Sequence, residues 1–261
     1  MGKVLNKIFL FLVFLFLYAP VLVLIINSFN VSKSRLYWGG FTFKWYKLLF
    51  QDYAILQAVR NTIVIAIVSS AIAAVLGTLC CVGVIDSSKL LKSSIFNVTN
   101  IPMVNPEIVT GVSSMLFFVM FYKLTGLFKP GMLTLIFAHS TFCSPYVFLS
   151  VFPKIKQVTP QISEAAQDLG CTPFQAFYKV ILPQIMPGII SGIVMSFTMS
   201  LDDFTISYFT SGNVQTLPLS IYSMTKKSVS PEINALSTVF FMSILILLII
   251  INIRNEKVDL I

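Results

Sequence analysis

The stretch SEAAQDLGCTPFQAFYKVILP, residues 163–183, is the longest polar-patterned segment in a chain that is otherwise mostly apolar. Its punctuation predicts two short helices in place of a loose loop. Thr159 and Pro160 supply a cap and a first-turn proline. Ile162, Ala165, Ala166 and Leu169 then recur at i, i+3, i+4 and i+7, which puts one apolar face opposite Glu164, Gln167 and Asp168. Gly170 ends this helix. Thr172, Pro173 and Gln175 repeat the start signal as a capping box, and Phe174, Phe177, Tyr178 and Ile181 form a second apolar stripe. Pro183 and Pro187 mark the return to apolar sequence. Periodicity alone fits a helix lying on lipid headgroups. Such a helix favours large apolar residues and a lysine-rich polar side, whereas the first helix here offers two alanines and two acids. Small residues admit a close protein neighbour, so the segment reads as a docking element for a soluble partner.

The flanking sequence is membrane material. Of 261 residues, 56% are hydrophobic and 11% charged, which excludes a soluble globular reading. A hydrocarbon core of about 30 Å requires roughly 20 apolar residues as helix. Six stretches meet that length, at about 8–27, 60–84, 98–121, 131–152, 185–209 and 234–253. The expected fold is therefore all-α and polytopic, one transmembrane domain over 1–261 with a polar loop at 153–183. The first stretch follows Lys3 and Lys7 as a signal peptide would, but its apolar run is too long and no small-residue cleavage site follows Asn27, so it is expected to remain a helix. Counting lysines and arginines does not orient the chain, because the two faces carry equal numbers. The net charge of +8 is spread along both faces, as headgroup anchors are, and forms no run suited to nucleic acid. Cys80, Cys81, Cys143 and Cys171 lack metal-ligand spacing and read as packing residues, and the lone His139 reads as a bonded histidine in a span.

At Glu164, Ala165, Ala166, then Gly170, then nine residues and Val180, Ile181, Leu182, Pro183, the chain resembles the EAA loop of bacterial ABC-importer permeases, with valine in place of the usual isoleucine. The segments SLDDFTISYFTSG (200–212) and TLPLSIYSMTKKSVSPEINALST (216–238) are similar to the corresponding region of the second permease subunit of spermidine/putrescine importers. The resemblance implies a six-span type I importer permease in the bacterial cytoplasmic membrane with both termini inside. It implies that Glu164, Ala165, Ala166, Leu169, Gly170, Leu182 and Pro183 belong to a coupling element that docks on an ATPase. The implied partners are a second homologous permease, two ATP-binding subunits that hold the ATP and magnesium, and an external solute-binding protein.

Three acids stand within or at the end of apolar stretches: Glu107, Asp202 and Asp203. An ionised side chain at a bilayer centre costs about 2.5–3.5 kcal/mol on insertion scales, so such residues face a bundle interior or a pathway. Glu107 follows IPMVNP, whose two prolines break the helix, and interrupted helices are tolerated where they line a cavity. Asp202 and Asp203 lie about 28 Å along a helix from Pro183, near the far mouth of the bundle, and one of the two is expected to face the pathway while the other meets a neighbour. Carboxylates at intervals with Phe204, Tyr208, Phe117 and Phe118 between them suit a polyamine, through charge and cation–ring attraction. In the alternative, the acids cap helices or pair with Arg60 and nearby lysines.

The sequence contains no G-x-x-x-x-G-K-[ST] loop, zinc-ligand helix or nucleophile elbow. Energy for transport is expected from another chain, and no catalytic or metal-binding residue is assigned. A related importer for another small cationic solute, an ion-coupled carrier and a non-transporting scaffold or channel subunit are the competing readings.

Overall fold

The computed structural model describes residues 2–32, 37–85, 87–158, 160–227 and 231–258. They form twelve helices: α1 (Gly2–Ser28), α2 (Lys44–Gln51), α3 (Tyr53–Ile85), α4 (Lys89–Val104), α5 (Glu107–Thr125), α6 (Met132–Gln157), α7 (Pro160–Asp168), α8 (Pro173–Ala176), α9 (Leu182–Asp202), α10 (Thr205–Thr210), α11 (Leu217–Lys227) and α12 (Pro231–Val258). Among the described residues, five helical stretches are long and apolar enough to cross a membrane: Leu5–Ser28, Tyr53–Ile85, Glu107–Thr125, Met132–Gln157 and Pro173–Asp202. The sixth expected span falls on α12, whose described apolar part is Pro231–Ile246.

The chain divides into two compact units, one of residues 1–57 and 220–261, the other of residues 58–219. In the first, α1 and α2 pack against α12. The connection from α1 to α2 is held by an isolated Asn30–Phe41 bridge and by the buried Trp45, whose indole Nε1–H donates to Asn30 O at 2.8 Å. Rings of Phe29, Phe41, Phe43 and Tyr46 stack over this turn.

The second unit is built on α6 and α9. Gly188, Gly192, Ser196 and Ser200 recur every four residues and bring the α9 backbone close to α6, as small-residue faces do in membranes. A Cβ at Gly192 would stand 2.9 Å from Val147 Cα, and one at Gly188 2.9 Å from Ser150 O. One turn further, Ser196 Oγ donates to Cys143 O at 3.2 Å and the Cys143 thiol donates to Ser196 O at 3.4 Å. Val147, Phe148 and Val151 of α6, Ile185 and Ile189 of α9, Ala73 and Cys81 of α3 and Ile206 of α10 share the buried core. Cys81 and Cys143 are thus packing residues with weak thiol hydrogen bonds, Cys81 to Phe148 O at 3.2 Å.

Two boundaries differ from the sequence reading, and the break expected from the prolines within 98–121 is present at one of the two. Pro106 pushes Asn105 into extended backbone (ψ 140°), ending α4 and starting α5, while Pro102 is accommodated inside α4. The stretch 185–209 is likewise interrupted, at Asp203 (ψ 116°), between α9 and α10. The second polar-loop helix, in turn, does not stop before the span. From α8 it passes through a π-helical turn, Phe177–Ile181, directly into α9. Pro183 has no N–H for the carbonyl four residues back, and the wider turn, closed by Leu182 N–H to Phe177 O, absorbs that loss without breaking the helix.

Candidate functional site

The two interruptions bring the predicted acids together within the second unit. α5 starts at Glu107, with its carboxylate at the positive end of the helix dipole, just after the Asn105–Pro106 break. α10 starts beside it. A Cβ on Gly111 of α5 would lie 2.8 Å from Phe209 Cδ2 and 3.3 Å from Thr205 O, so the absence of a side chain lets the two helices touch. Across this contact Thr205 Oγ1 donates to Glu107 Oε2 at 3.2 Å. The carboxylate of Asp202, at the end of α9, is exposed and within electrostatic reach of Glu107. Tyr146 of α6 is also within reach of the Glu107 charge. The rings of Phe204 and Tyr208 lie next to one another at 5.6 Å, tilted by 36°.

Asp203, by contrast, is turned inward and is 8% exposed. Its Oδ1 accepts the N–H of Ile206 at 3.2 Å and its Oδ2 that of Ser207 at 2.8 Å, so it caps α10 in the way the sequence left open as an alternative. His139 Nε2 stands 3.4 Å from Asp203 Oδ2 and 3.0 Å from Ser207 Oγ, while its Nδ1 is 2.7 Å from Ser200 Oγ. Ser200 Oγ is in turn 3.2 Å from Ser69 Oγ. This buried chain ties α3, α6, α9 and α10 together around the helix break. It satisfies every polar group it contains, as a buried network must. Among the described residues Asp203 is the acid with a cationic-type partner, and neither Glu107 nor Asp202 has a lysine or arginine in salt-bridge range, so the alternative pairing with Arg60 is not formed. Asp202 is the last residue of the span-length stretch Pro173–Asp202, and His139 stands seven residues, about 10 Å, into α6.

Sequence reasoning missed Tyr146 and Thr205 at this site, along with the Ser69–Ser200–His139 chain. The four-residue spacing of Gly188, Gly192, Ser196 and Ser200 was the available signal for the chain, because it predicts that Ser200 faces α6 and hence His139.

The polar loop forms a second candidate surface. Thr159 lies outside the described residues. α7 ends in a Schellman turn: Gly170 adopts φ +91°, its N–H donates to Gln167 O at 2.9 Å, and Cys171 N–H donates to Ala166 O at 3.1 Å. The capping box at the start of α8 is complete, with Gln175 N–H donating to Thr172 Oγ1 at 3.3 Å and Thr172 N–H donating to Gln175 Oε1 at 3.1 Å. α7 and α8 are in contact, and Ala166 and Ala176 are buried. Of the larger apolar residues in the two predicted stripes, Leu169 is 88% exposed and Phe174 and Tyr178 are exposed, while Ile162, Phe177 and Ile181 are half-buried. Glu164, Ala165 and Pro183 are also exposed, while Leu182 is half-buried at the start of α9.

Residues 71–255 match the family described as "Binding-protein-dependent transport system inner membrane component". The chain is similar to the spermidine/putrescine transport system permease protein PotC of Escherichia coli (strain K12), with 37% identity covering 95% of this chain and 92% of that protein. It is 40% identical to the putrescine transport system permease protein PotI of the same strain, covering 88% of this chain and 83% of PotI. Its fold matches a chain of a bacterial ABC transporter that imports the acidic polysaccharide alginate, with TM-score 0.73 and 17% identity over 98% of this chain and 94% of that one. An amino acid ABC transporter chain matches with TM-score 0.60 and 19% identity over 83% of this chain and 99% of that one. With its all-helical fold and a family match over most of its length, the chain belongs to the inner-membrane permease components of binding-protein-dependent, ABC-type transport systems.

Proposed function

We propose that this permease moves polyamines of the spermidine and putrescine class inward by alternating access, driven by ATP hydrolysis in a partner chain. The observation that carries the reading is the pair of carboxylates, Glu107 and Asp202, held at two helix interruptions without a lysine or arginine partner among the described residues. Acids at the ends of span-length helices with no basic partner suit a cationic ligand that passes them. A polyamine supplies ammonium groups for both, and Phe204 and Tyr208 offer ring faces for the methylenes and charges between. Identities of 37% and 40% to permeases named for spermidine/putrescine and putrescine transport support the same class. Asp203 serves this site as a positioning residue, because its hydrogen bonds set where α9 ends and α10 begins.

The loop 153–183 is the coupling element. Glu164, Ala165, Ala166, Leu169 and Gly170 form a short helix with a fixed end, and Leu182 and Pro183 join its continuation to α9 without a break. Uncovered Leu169, Phe174 and Tyr178 are the surface that an ATP-binding subunit would bury. The segment then lies in the cytoplasm, which puts both termini there. The working assembly pairs this chain with a second homologous permease, two ATP-binding subunits carrying ATP and magnesium, and an external solute-binding protein.

Uptake of labelled spermidine into inside-loaded vesicles of the assembled complex tests the reading. Uptake that requires internal ATP and ignores ionophores is expected. Uptake that follows an ion gradient without ATP would contradict it, and ATP-driven uptake of some other cation with no polyamine uptake would leave the fold reading intact while replacing the substrate.

A further inference from the structure

We infer that the cleft between α5 and α6 is a second cation subsite, which accepts the far end of a long polyamine while Glu107 and Asp202 hold the near end. This rests on the polyamine reading above. The cleft has a volume of about 540 Å³, and no lysine or arginine lines it. Its wall is a continuous row of rings. Phe117 meets Phe118 edge-on at 5.6 Å and stacks on Phe121 at 6.0 Å; Phe121 meets Phe128 at 5.7 Å, and Phe128 meets Phe137 at 5.1 Å. Ring faces attract ammonium groups and ring edges pack methylenes, so a row of this kind suits an alkyl chain carrying positive charge.

Two further observations point to a ligand. Phe128 adopts φ +60°, the only non-glycine residue with positive φ among those described, and this conformation inserts its ring between Phe121 and Phe137. Backbone strain at a bulky residue persists where a surrounding arrangement requires it. Ser113 and Ser114, on the same cleft, have hydroxyls with no partner among the described residues. Thr141, on the opposite wall, is instead satisfied by Phe137 O at 2.9 Å, the usual solution for a hydroxyl in a span. Ser113 is exposed and Ser114 half-buried, so both hydroxyls are open to a donor that enters the cleft.

The cleft and the acidic site share α5. Ser114 lies seven residues, about 10 Å, from Glu107 and on the same face of α5. A short diamine placed at Glu107 and Asp202 cannot span that distance, whereas a longer triamine can reach the serines and the rings. The cleft therefore sets preference by chain length.

The test is maximal uptake of spermidine and of putrescine by the assembled transporter at saturating solute-binding protein, which removes that protein's affinity from the comparison. Phe128→Gly, which relieves the backbone, and Phe121→Leu are each expected to lower the spermidine rate by about fivefold or more, the size of one lost cation–ring contact, while putrescine changes less than about twofold. Phe128→Tyr keeps the ring and is expected to keep both rates. If Phe128→Gly fails to assemble, Phe121→Leu decides. Equal loss of both amines, or no change in either, overturns the cleft assignment. So does an effect that varies with the acyl chains of the bilayer and not with amine length, which would make the occupant a lipid. A wild-type complex that transports neither amine overturns the polyamine reading itself, a result distinct from failure of the cleft.

Discussion

Asp202 and Asp203 are neighbours in sequence with opposite environments, and the helix end between them makes the difference. Asp202 closes α9 and stays exposed near Glu107, while the extended backbone of Asp203 swings its carboxylate onto the N–H groups of Ile206 and Ser207 and beside His139. A prediction at this scale separates them. Asp203→Ala leaves two N–H groups and an imidazole without their acceptor and is expected to destabilise the purified protein by about 1–3 kcal/mol, visible as a lower Tm. Asp202→Ala removes an exposed side chain and is expected to leave the Tm nearly unchanged; equal losses of stability in the two variants would contradict the assignment of capping to Asp203 alone. The sequence identified all three acids but could not divide their roles. It treated 185–209 as one helix, in which adjacent residues differ only by rotation about the axis, and nothing in the local composition marked the break.

At the scale of elements, the four-residue repeat of Gly188, Gly192, Ser196 and Ser200 determines how closely α9 approaches α6. Gly192→Ala places a methyl 2.9 Å from the Val147 backbone. It is expected to cost about 1–3 kcal/mol through overpacking, measured by thermal unfolding, with Gly83→Ala, where a Cβ meets nothing within 4 Å, as the neutral comparison. The coupling element carries a different prediction. Ala165 is exposed on α7, in the segment proposed to dock on a partner. Ala165→Trp is expected to leave the fold of this chain intact and to abolish co-purification of the ATP-binding subunit or to uncouple its hydrolysis from uptake. Full coupling in that variant would remove the docking role. Much of this loop was legible: Gly170, Thr172 and Gln175 act through local backbone chemistry, and their caps form as the sequence alone requires. Phe174 and Tyr178 of the second apolar stripe follow helical periodicity and lie exposed. Periodicity reports that a face is apolar and does not say whether this chain or another covers it.

At the scale of the whole molecule, spans were legible from apolar length, since a hydrocarbon solvent imposes a minimum on each helix. The interruptions at Asn105–Pro106 and Asp203 were legible only at the first, where proline fixes the backbone; the second depends on a tertiary partner, His139, that lies 64 residues away in the chain. These two breaks place Glu107 and Asp202 at adjoining helix ends, where the proposed pathway needs them. The central claim is that Glu107 and Asp202 carry the cation through this bundle. Its most direct test is the initial rate of ATP-driven spermidine uptake into vesicles of the assembled transporter, wild type against Glu107→Gln and Asp202→Asn, at equal amounts of assembled complex. Loss of one charged contact to an ammonium group is worth about 1.5–3 kcal/mol, so each variant is expected to transport about ten- to a hundredfold more slowly, while wild-type rates in both variants would contradict the account.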